Sequence, residues 1–388
     1  MDFDLPEEYS MLREPVRRFV RQELLPLEAT VLERDTQGLT GEDLLPRESE
    51  ERLLSIARDA GLWGLDVPEE FGGLDLATLP KCLATEELYK SITPFTFPPD
   101  APNLHMLIKT CTSEQREKYL IPYAEGRARS AIAISEPGAG SDPAGMRTTA
   151  VKQGDQWVLN GRKIWISRAD VADFIIVMAV TDKEKKAKGG ITAFLVDKDT
   201  PGLVLQRQIP VIGGHAPWEL VFEDLSVPDA QVLGEVGDGF GPMQLRLTVR
   251  RLEMGSWCVG MAQRCLDMMI DYAKQRVTFG QKLADRQSIQ WFIADSAIDI
   301  HASRLMVHHG AWTFDQQTDV RQEASMLKVF ATEMATRVVD RAMQMHGGMG
   351  MSKEMPLEFM YRRIRPMRIF EGPTEIHRWV IARKLLRD

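Results

Sequence analysis

The feature that most constrains the fold is the type of periodicity, which changes twice along the chain. In the first third, apolar residues recur at helical spacing, as at Leu12, Val16, Phe19 and Leu24. Six short runs rich in β-branched and aromatic residues then follow one another and predict strands: AIAIS, QWVLNGRKIWIS, FIIVMAV, GITAFLVD, LVLQRQI and WELVFEDLSV. A helical period returns for the remainder. This order predicts three domains, with boundaries at 1–129, 130–233 and 234–388.

The strand-rich middle segment has no helical stretch of crossover length between most of its runs. It therefore predicts an antiparallel sandwich or barrel rather than a parallel sheet. The last segment predicts a four-helix bundle. Its expected helices are Met243–Gln275, Ile289–Phe314, Ala324–Met345 and Glu375–Leu386. The predicted class is α+β, with a helical N-terminal domain, a β middle domain and a helical C-terminal domain.

Composition disfavours several classes of function. The formal net charge of −8 argues against a dedicated nucleic-acid binder. No apolar run reaches the roughly 18–20 residues that cross a bilayer, and no signal or transit pattern is apparent, so we expect a cytoplasmic protein without stable membrane insertion. The cysteines and histidines lack metal-ligand spacing, so no metal site is expected. Cys258 and Cys265 fall in an apolar helical stretch and are expected to be buried.

Two candidate binding motifs lie in the strand-rich segment. The stretch AIAISEPGAGSDPAG combines Ser135 and Ser141 with closely spaced glycines, which can present backbone N–H groups to an anion. It lacks the dinucleotide fingerprint GxGxxG, and an ordinary glycine-rich turn is the alternative interpretation. Further on, Trp165 and Ser167 at a strand end could offer a flat ring and a hydroxyl, although a tryptophan of the sheet core is equally compatible with these residues.

Three further motifs lie in the C-terminal third. The segment RVTFGQ interrupts two helices around Phe279, and a plain interhelix turn is its simplest interpretation. The glycines of MHGGMG break another helix and could bring backbone close to a ligand. Glu371 directly precedes a Gly-Pro pair, and Thr374 is the predicted N-cap of the last helix. A carboxylate on such a loop could be poorly solvated, which would suit it to proton abstraction.

Taken together, the motifs ISEPGAGSD, QMHGGMGMSKE and RIFEGPTEIHR closely resemble the acyl-CoA dehydrogenase family, in its order and spacing and over essentially the whole chain. The resemblance implies FAD bound between the β domain and the C-terminal bundle. It also implies a homotetramer built as two dimers, an acyl-CoA substrate and an electron-transfer flavoprotein as electron acceptor.

The resemblance assigns a role to each matching position. The positions that match the flavin ring and phosphate contacts are Ile134, Ser135, Gly140, Ser141, Trp165 and Ser167. Those that match contacts to the FAD of a neighbouring subunit are Arg276, Thr278, Phe279 and Gln287, with Gln344, Gly347 and Gly348 along its diphosphate and adenosine side. The turn after the base matches Thr374 and Glu375, and the substrate contacts match Ser141, Arg251 and Gly372.

The mechanism implied by the resemblance makes Glu371 the base. It takes the C2 proton while a hydride leaves C3 for flavin N5, giving the trans-2-enoyl-CoA. The backbone N–H of Glu371 and a flavin ribityl hydroxyl stabilise the developing oxyanion. Two alternatives on the same fold are an acyl-CoA or other flavin oxidase that uses oxygen, and a non-catalytic flavin-binding or nucleic-acid-associated relative.

Several positions depart from the family pattern. Phe359 stands where a basic residue is usual, Arg363 where an acidic one is usual, and Pro373 replaces a threonine. Thr248 occupies a position that is often acidic, and Arg250 stands where some branches carry their base. These differences put part of the FAD and CoA binding in question and favour the carboxylate of RIFEGPTEIHR as the base. The bulky, Pro-rich TPFTFPPDAPNLHM favours a branched, cyclic or aryl acyl group.

Overall fold

The computed structural model describes residues 5–99 and 101–387, and it confirms the predicted α+β class. The first part of the chain is helical and contains two π-helical segments, Val20–Leu24 and Arg116–Leu120. Its α-helices are α1 (Glu7–Phe19), α2 (Glu28–Thr36), α3 (Arg47–Asp59), α4 (Thr78–Leu88), α5 (Asn103–Thr110), α6 (Ser113–Gln115) and α7 (Ile121–Ala124).

Helix α4 is the centre of the N-terminal domain. Most of its residues are buried, because it packs against α1 on one side and against helices of the C-terminal domain on the other. Cys82, Leu83 and Ala84 are almost completely inaccessible to solvent. A helix that is enclosed on several sides has little amphipathic pattern. Its buried Glu86 and Glu87 are accordingly paired, with Arg304 at 3.0 Å and Arg13 at 2.7 Å.

The middle domain is a single eight-stranded sheet with the order β6-β7-β3-β2-β4-β5-β8, in which β1 pairs with β4. Its strands are β1 (Ser130–Ala133), β2 (Thr149–Gln153), β3 (Gln156–Ile166), β4 (Phe174–Val180), β5 (Ile191–Asp197), β6 (Leu203–Gln208), β7 (Trp218–Pro228) and β8 (Val232–Leu233). Strands β4 and β5 are almost entirely buried, since both of their faces are covered.

The antiparallel prediction holds for most strand pairs and is wrong for two. Strand β1 pairs with β4 in parallel, with Ser130 opposite Phe174, and β2 makes one parallel pairing with β4 at Thr149 and Val180. A parallel pair needs a long connection, but that connection need not be a helix. Here the β2–β3 hairpin occupies the chain between β1 and β4 and serves as the crossover.

The C-terminal domain contains the four predicted helices and one more. They are α8 (Phe240–Gln275), α9 (Gln287–Asp315), α10 (Arg321–His346), α11 (Pro356–Ile364) and α12 (Thr374–Leu385), with a small hairpin of β9 (Val277–Thr278) and β10 (Gln281–Lys282). The predicted N-cap is wrong by one residue. Pro373, with an extended ψ of 150°, precedes α12, and Thr374 is the first helical residue. Proline fixes φ near the helical value, so the helix starts directly after it.

Phe359 and Arg363, two residues that depart from the family pattern, pack together inside this domain. Phe359 is fully buried, and the guanidinium groups of Arg362 and Arg363 lie 5.3 and 5.7 Å from its ring centroid. Arg363 donates from Nη1 to the carbonyl of Ile92 at 2.8 Å, which joins α11 to the N-terminal domain. An aromatic face next to arginine is a stabilising cation–π arrangement. The two unusual residues therefore act as a packing unit.

Two cysteines lie in the apolar core of the helical domain. Cys258 and Cys265 are completely buried, as predicted, and burial raises the pKa of each thiol to about 12. Within residues 5–99 and 101–387, no group of three or more His, Cys, Asp or Glu side chains is arranged to hold a metal ion. No helix in the same ranges has the length and apolar character needed to cross a bilayer.

Candidate active site

The loop that carries Glu371 has a sharply bent backbone. Glu371 has a φ of +56° and Gly372 a φ of +93°, so two successive residues adopt left-handed conformations between α11 and α12. A non-glycine residue in this region is strained and persists only where its surroundings hold it. A Cβ added to Gly372 would lie 2.9 Å from Nε2 of His377, so a glycine is required there.

Three helices hold this loop through its backbone carbonyls. Arg251 on α8 donates from Nε to the carbonyl of Glu371 at 3.1 Å, and Nε2 of His377 on α12 contacts the same oxygen at 3.1 Å. Lys328 on α10 donates to the carbonyls of Gly372 at 2.6 Å and Arg368 at 3.1 Å. Lys328 and His377 are buried and Arg251 is partly buried, so the position of the loop is fixed by the helical domain.

Burial determines the charge of these anchoring groups. It lowers the pKa of Lys328 to about 8 and that of His377 to about 4, and it also lowers the pKa of Arg251. His377 is therefore neutral at pH 7 and carries a single ring proton. Because its Nε2 faces a carbonyl oxygen, the proton belongs on Nε2. Nδ1 lies 3.1 Å from the hydroxyl oxygen of Ser325, which donates its own proton to the carbonyl of Arg321 at 2.7 Å.

The carboxylate of Glu371 is held by an arginine that the sequence analysis did not identify. Nη1 of Arg246 on α8 lies 3.1 Å from both carboxylate oxygens. The side chains of Arg246 and Glu371 are only 9% and 15% exposed. Nε of Arg246 donates to Oδ1 of Asn103 at 3.1 Å, and Asn103 in turn donates to the hydroxyl of Ser130 at 2.9 Å. The site thus joins all three domains.

The backbone N–H and the backbone carbonyl of Glu371 differ in their hydrogen bonding. Among the residues that the structure describes, no hydrogen-bond acceptor receives this N–H, whereas the carbonyl receives two donors. Shielded N–H groups without a protein partner are uncommon and often face a ligand. The same residue can therefore offer a carboxylate and a hydrogen-bond donor to one bound molecule.

A small cavity lies beside this site, one helical turn further along α8. Aromatic and charged side chains line it together, including the stacked rings of Tyr89 and Trp257, whose centroids are 5.0 Å apart. Arg250 lies over the Trp257 ring at 5.1 Å and pairs with Glu253 at 2.8 Å. The segment TFPP, part of the Pro-rich region considered above, closes another side of the cavity.

The glycine-rich motif of the β domain forms a firmly supported open turn. Lys163 is completely buried, donates to the carbonyl of Ile134 at 2.9 Å and pairs with Glu136 at 2.9 Å. A Cβ added to Gly138 or Gly140 would meet no atom within 4 Å, so this turn borders open space. The other residues predicted at this motif are Ser135, which is partly buried, and Ser141, which is exposed.

Next to this turn, the end of β3 presents an exposed aromatic ring. Trp165 has a φ of +66° and is 51% exposed, so it belongs to the surface rather than to the sheet core. Ser167, two residues later, is exposed as well. Indole faces are large and flat, and an exposed one beside an open glycine turn fits a planar ligand.

The remaining predicted cofactor residues form a separate, exposed group. Arg276, Phe279, Gln287, Gln344, Gly347 and Gly348 are exposed, and Thr278 is partly buried. Gln344 follows Lys328 by 16 residues on α10 (344 − 328), which is about 24 Å along a helix. Within one chain, Gln344 therefore lies well away from the Glu371 loop. At the turn after Glu371, Thr374 is buried and Glu375 is exposed.

Comparison with known protein families accounts for the three-domain order. The chain matches the acyl-CoA dehydrogenase N-terminal domain over residues 6–127, the middle domain over 131–225 and the C-terminal domain over 237–386. Over its whole length it is also 49% identical to the (R)-benzylsuccinyl-CoA dehydrogenase of Thauera aromatica, of which it covers 98%.

Solved structures show the same similarity in three dimensions. A structure from work on the electron-transferring flavoprotein of Acidaminococcus fermentans superposes with a TM-score of 0.90 at 34% identity, with each chain fully covered. A glutaryl-CoA dehydrogenase in complex with glutaryl-CoA gives 0.89 at 30% identity, covering all of this chain and 97% of the other. The chain therefore belongs to the acyl-CoA dehydrogenase family of flavin-dependent oxidoreductases.

Proposed function

We propose that this enzyme binds FAD and oxidises an acyl-CoA thioester to its trans-2-enoyl-CoA, with Glu371 as the base that removes the C2 proton. The names of the relatives support the reaction class, since two of them are dehydrogenases of CoA thioesters. The proposal depends on two properties of Glu371, which suit it to act both as a base and as a hydrogen-bond donor. Its carboxylate is shielded from solvent, and its own N–H is without an acceptor among the described residues.

This arrangement matches the requirements of proton removal next to a thioester. Such a C–H group is a very weak acid, so a base needs a donor at the thioester oxygen to stabilise the charge that develops there. The left-handed backbone at Glu371 directs its carbonyl toward Arg251 and His377. The N–H then remains available for the thioester oxygen, and one rigid residue supplies both the base and the donor.

The β domain and the helical bundle contain residues suited to the cofactor. Within one chain, the open turn around Ser135, Gly140 and Ser141, together with Ile134, Trp165 and Ser167, would hold the flavin ring and its phosphates. Arg251 and Gly372 fix the loop beside it, with Thr374 and Glu375 at the following turn. FAD, when bound, supplies the hydride acceptor for the C3 position.

The exposed group on the C-terminal domain is best explained by assembly. Phe279 is 97% exposed at the tip of the β9–β10 hairpin, and large apolar side chains in such positions often contact another molecule. We propose that this group, which includes Arg276, Thr278, Gln287, Gln344, Gly347 and Gly348, contacts FAD held mainly by a neighbouring subunit of a homotetramer. We further propose electron transfer to an electron-transfer flavoprotein and a cytoplasmic location.

The proposed function can be tested by anaerobic bleaching of the flavin with acyl-CoAs. Glu371→Gln is expected to retain FAD while its rate of flavin reduction falls by roughly 10²–10⁴-fold, the usual contribution of a general base. Glu354→Gln, at an exposed carboxylate outside the site, is the matched control and is expected to behave like the unmodified protein. Normal bleaching by Glu371→Gln would contradict the role of the base, and peroxide release in air would favour an oxidase.

A further inference from the structure

We infer that the acyl group of the substrate carries a free carboxylate and that Arg246 binds it. This inference rests on the proposed function and specifies the substrate class for the same site. The observation behind it is that the carboxylate of the base is paired with a buried guanidinium, Nη1 of Arg246 being 3.1 Å from each of its oxygens.

In an enzyme that acts on a plain hydrocarbon chain, this ion pair would disfavour both substrate binding and proton removal. Acyl pockets for such chains are lined mainly by apolar groups, and burying a guanidinium there costs solvation free energy. In addition, the lone pairs of Glu371 that accept hydrogen bonds from Arg246 are not free to take up a proton. A neutral acyl group would leave Arg246 bonded to Asn103 but without an anionic partner whenever the base moved toward the substrate.

A substrate carboxylate removes this conflict. It can replace the carboxylate of Glu371 at Arg246, so the buried cation remains paired and Glu371 is released to act on C2. The exchange substitutes one carboxylate for another and leaves the charge balance of the guanidinium unchanged. Arg246 would then act as a substrate-binding residue that couples recognition of the anionic group to availability of the base.

The geometry of the pair is compatible with such an exchange. Both oxygens of Glu371 share the single nitrogen Nη1, whereas the strongest arginine–carboxylate pairs use two nitrogens in parallel. Nε of Arg246 is held by Asn103 at 3.1 Å, so the guanidinium remains in place when its anionic partner changes. Asn103 is itself buried and donates to Ser130, which orients its oxygen toward Arg246.

The other cations nearby have carboxylate partners that do not take part in the proposed reaction. Lys81 pairs with Asp66 at 2.5 Å and with Glu253 at 2.9 Å, and Arg250 pairs with Glu253 at 2.8 Å. Asp66 also contacts His105 at 3.2 Å. Of these cations, Arg246 is the one whose anionic partner has to be released for catalysis.

The same geometry limits the length of the acyl group. The substrate carboxylate takes the position at Nη1 of Arg246 that the Glu371 carboxylate leaves, and Glu371 remains close by because Arg251 and His377 fix its backbone. The substrate carboxylate would therefore lie within a few bonds of C2, where Glu371 acts. This spacing fits succinyl- or glutaryl-type thioesters, with further substituents allowed, and it disfavours long-chain diacids.

The test compares matched acids and esters by anaerobic stopped-flow reduction of the flavin. Glutaryl-CoA and benzylsuccinyl-CoA would each be compared with the methyl ester of the free carboxylate, and pentanoyl-CoA would serve as a chain of equal carbon number. We expect at least one acid to reduce the flavin about 30-fold or more faster than its ester, the smallest effect typical of a lost buried charge partner. Equal rates for acids and esters would overturn the inference while leaving the proposed function intact.

Variants at position 246 provide a second test of the inference. Arg246→Gln is expected to weaken binding of glutaryl-CoA, measured by perturbation of the flavin spectrum, and to slow its oxidation about 30-fold or more. The ratio of the oxidation rate of glutaryl-CoA to that of pentanoyl-CoA is therefore expected to fall about 30-fold or more. Arg246→Lys should recover part of the preference for acids. Arg264→Gln, on the same helix with its partner Glu28 at 3.8 Å, is the matched control and should retain the full preference.

The outcomes separate the two proposals. If Arg246→Gln slows acids and neutral chains equally, Arg246 is a fixed partner of the base and the inference is wrong. If no acyl-CoA of either class reduces the flavin of the unmodified holoenzyme, the proposed function itself fails. Flavin content and circular dichroism show whether each variant is folded, and the acid–ester comparison on the unmodified protein decides the matter if Arg246→Gln does not fold.

Discussion

The ammonium group of Lys328 and the carbonyl oxygen of Gly372 are 2.6 Å apart, although the two residues are 44 positions apart in the chain. Lys328 is completely buried within α10 and makes a second hydrogen bond, of 3.1 Å, to the carbonyl of Arg368. A buried lysine that donates to backbone carbonyls on both sides of Glu371 fixes the ends of the catalytic loop. Its role is to position the loop rather than to contact the substrate.

Replacement of Lys328 should therefore impair both stability and turnover. Lys328→Met leaves two buried carbonyls without their donor, and each such loss costs about 1–3 kcal/mol. We expect a lower melting temperature and slower flavin reduction at unchanged flavin content, measured by thermal unfolding and stopped-flow absorbance. Lys183→Met, at an exposed lysine of the β4–β5 loop, is the control. Full activity in Lys328→Met would show that the loop needs no support from α10.

The buried histidines predict a loss of stability in mild acid. Burial lowers the pKa values of His215 and His377 to about 4 from an ordinary 6.5. Between pH 6.5 and 4 the unfolded chain therefore binds more protons than the folded one, so the free energy of unfolding decreases as the pH falls through this window. Each histidine contributes a slope of up to about 1.4 kcal/mol per pH unit.

Urea unfolding at pH 7 and pH 5 measures this effect. His377→Gln retains a side-chain N–H donor but does not titrate, so the difference in unfolding free energy between the two pH values should be smaller in this variant than in the unmodified protein. An identical pH dependence in the two proteins would show that His377 does not titrate on unfolding in this range.

The ion pair between Lys163 and Glu136 should show strong coupling. Glu136 also accepts from the backbone N–H groups of Arg147 and Thr148, at 2.6 and 2.9 Å, so it would stay buried without its cation in Lys163→Met. Breaking one side of a buried pair costs about 3–5 kcal/mol. We expect Lys163→Met with Glu136→Gln to be less destabilised than the sum of the single variants. Simple additivity in a double-mutant cycle would argue against the coupling.

The exposure of Phe279 predicts an effect on assembly rather than on the fold. Phe279→Ser should weaken subunit association or FAD retention, measured by mass photometry and flavin absorbance, with little change in the secondary structure of the chain. Val151→Ser, at another exposed apolar residue on strand β2, is the matched control. A Phe279→Ser protein with the native mass and full flavin content would contradict the proposed contact with a neighbouring subunit.

Much of the fold follows from sequence periodicity because neighbouring domains differ in their period, helical in the first and last and strand-like in the middle. The four long helices of the last domain and six of the main strands were predicted with errors of a few residues at their ends. Strand β2 was missed, although Gly154–Asp155 between β2 and β3 is a typical two-residue hairpin signal. Helix α11 was missed because it is only nine residues long and lies between the glycine-rich break and the Glu371 loop.

The chemistry of the site was less predictable than its location. The motif around Glu371 indicates a loop with a carboxylate, and the structure places that carboxylate in a shielded position. Its partner Arg246 has no local signature, because an arginine on a helix usually lies on the surface and the two residues are 125 positions apart. Lys163 and Lys328 were missed for the same reason, since their partners include backbone carbonyls that no sequence pattern marks.

The bonding of the Glu371 turn to α8, α10 and α12 has a consequence for how this enzyme tolerates change. The position of the turn depends on hydrogen bonds from three separate helices. A small tilt of any one of these helices relative to the other two would therefore displace the carboxylate. Substitutions that reduce turnover without altering any ligand contact should therefore be found mainly at the packing contacts between these three helices. One such place is Gly255 of α8, where even a methyl group would come within 2.8 Å of Leu327.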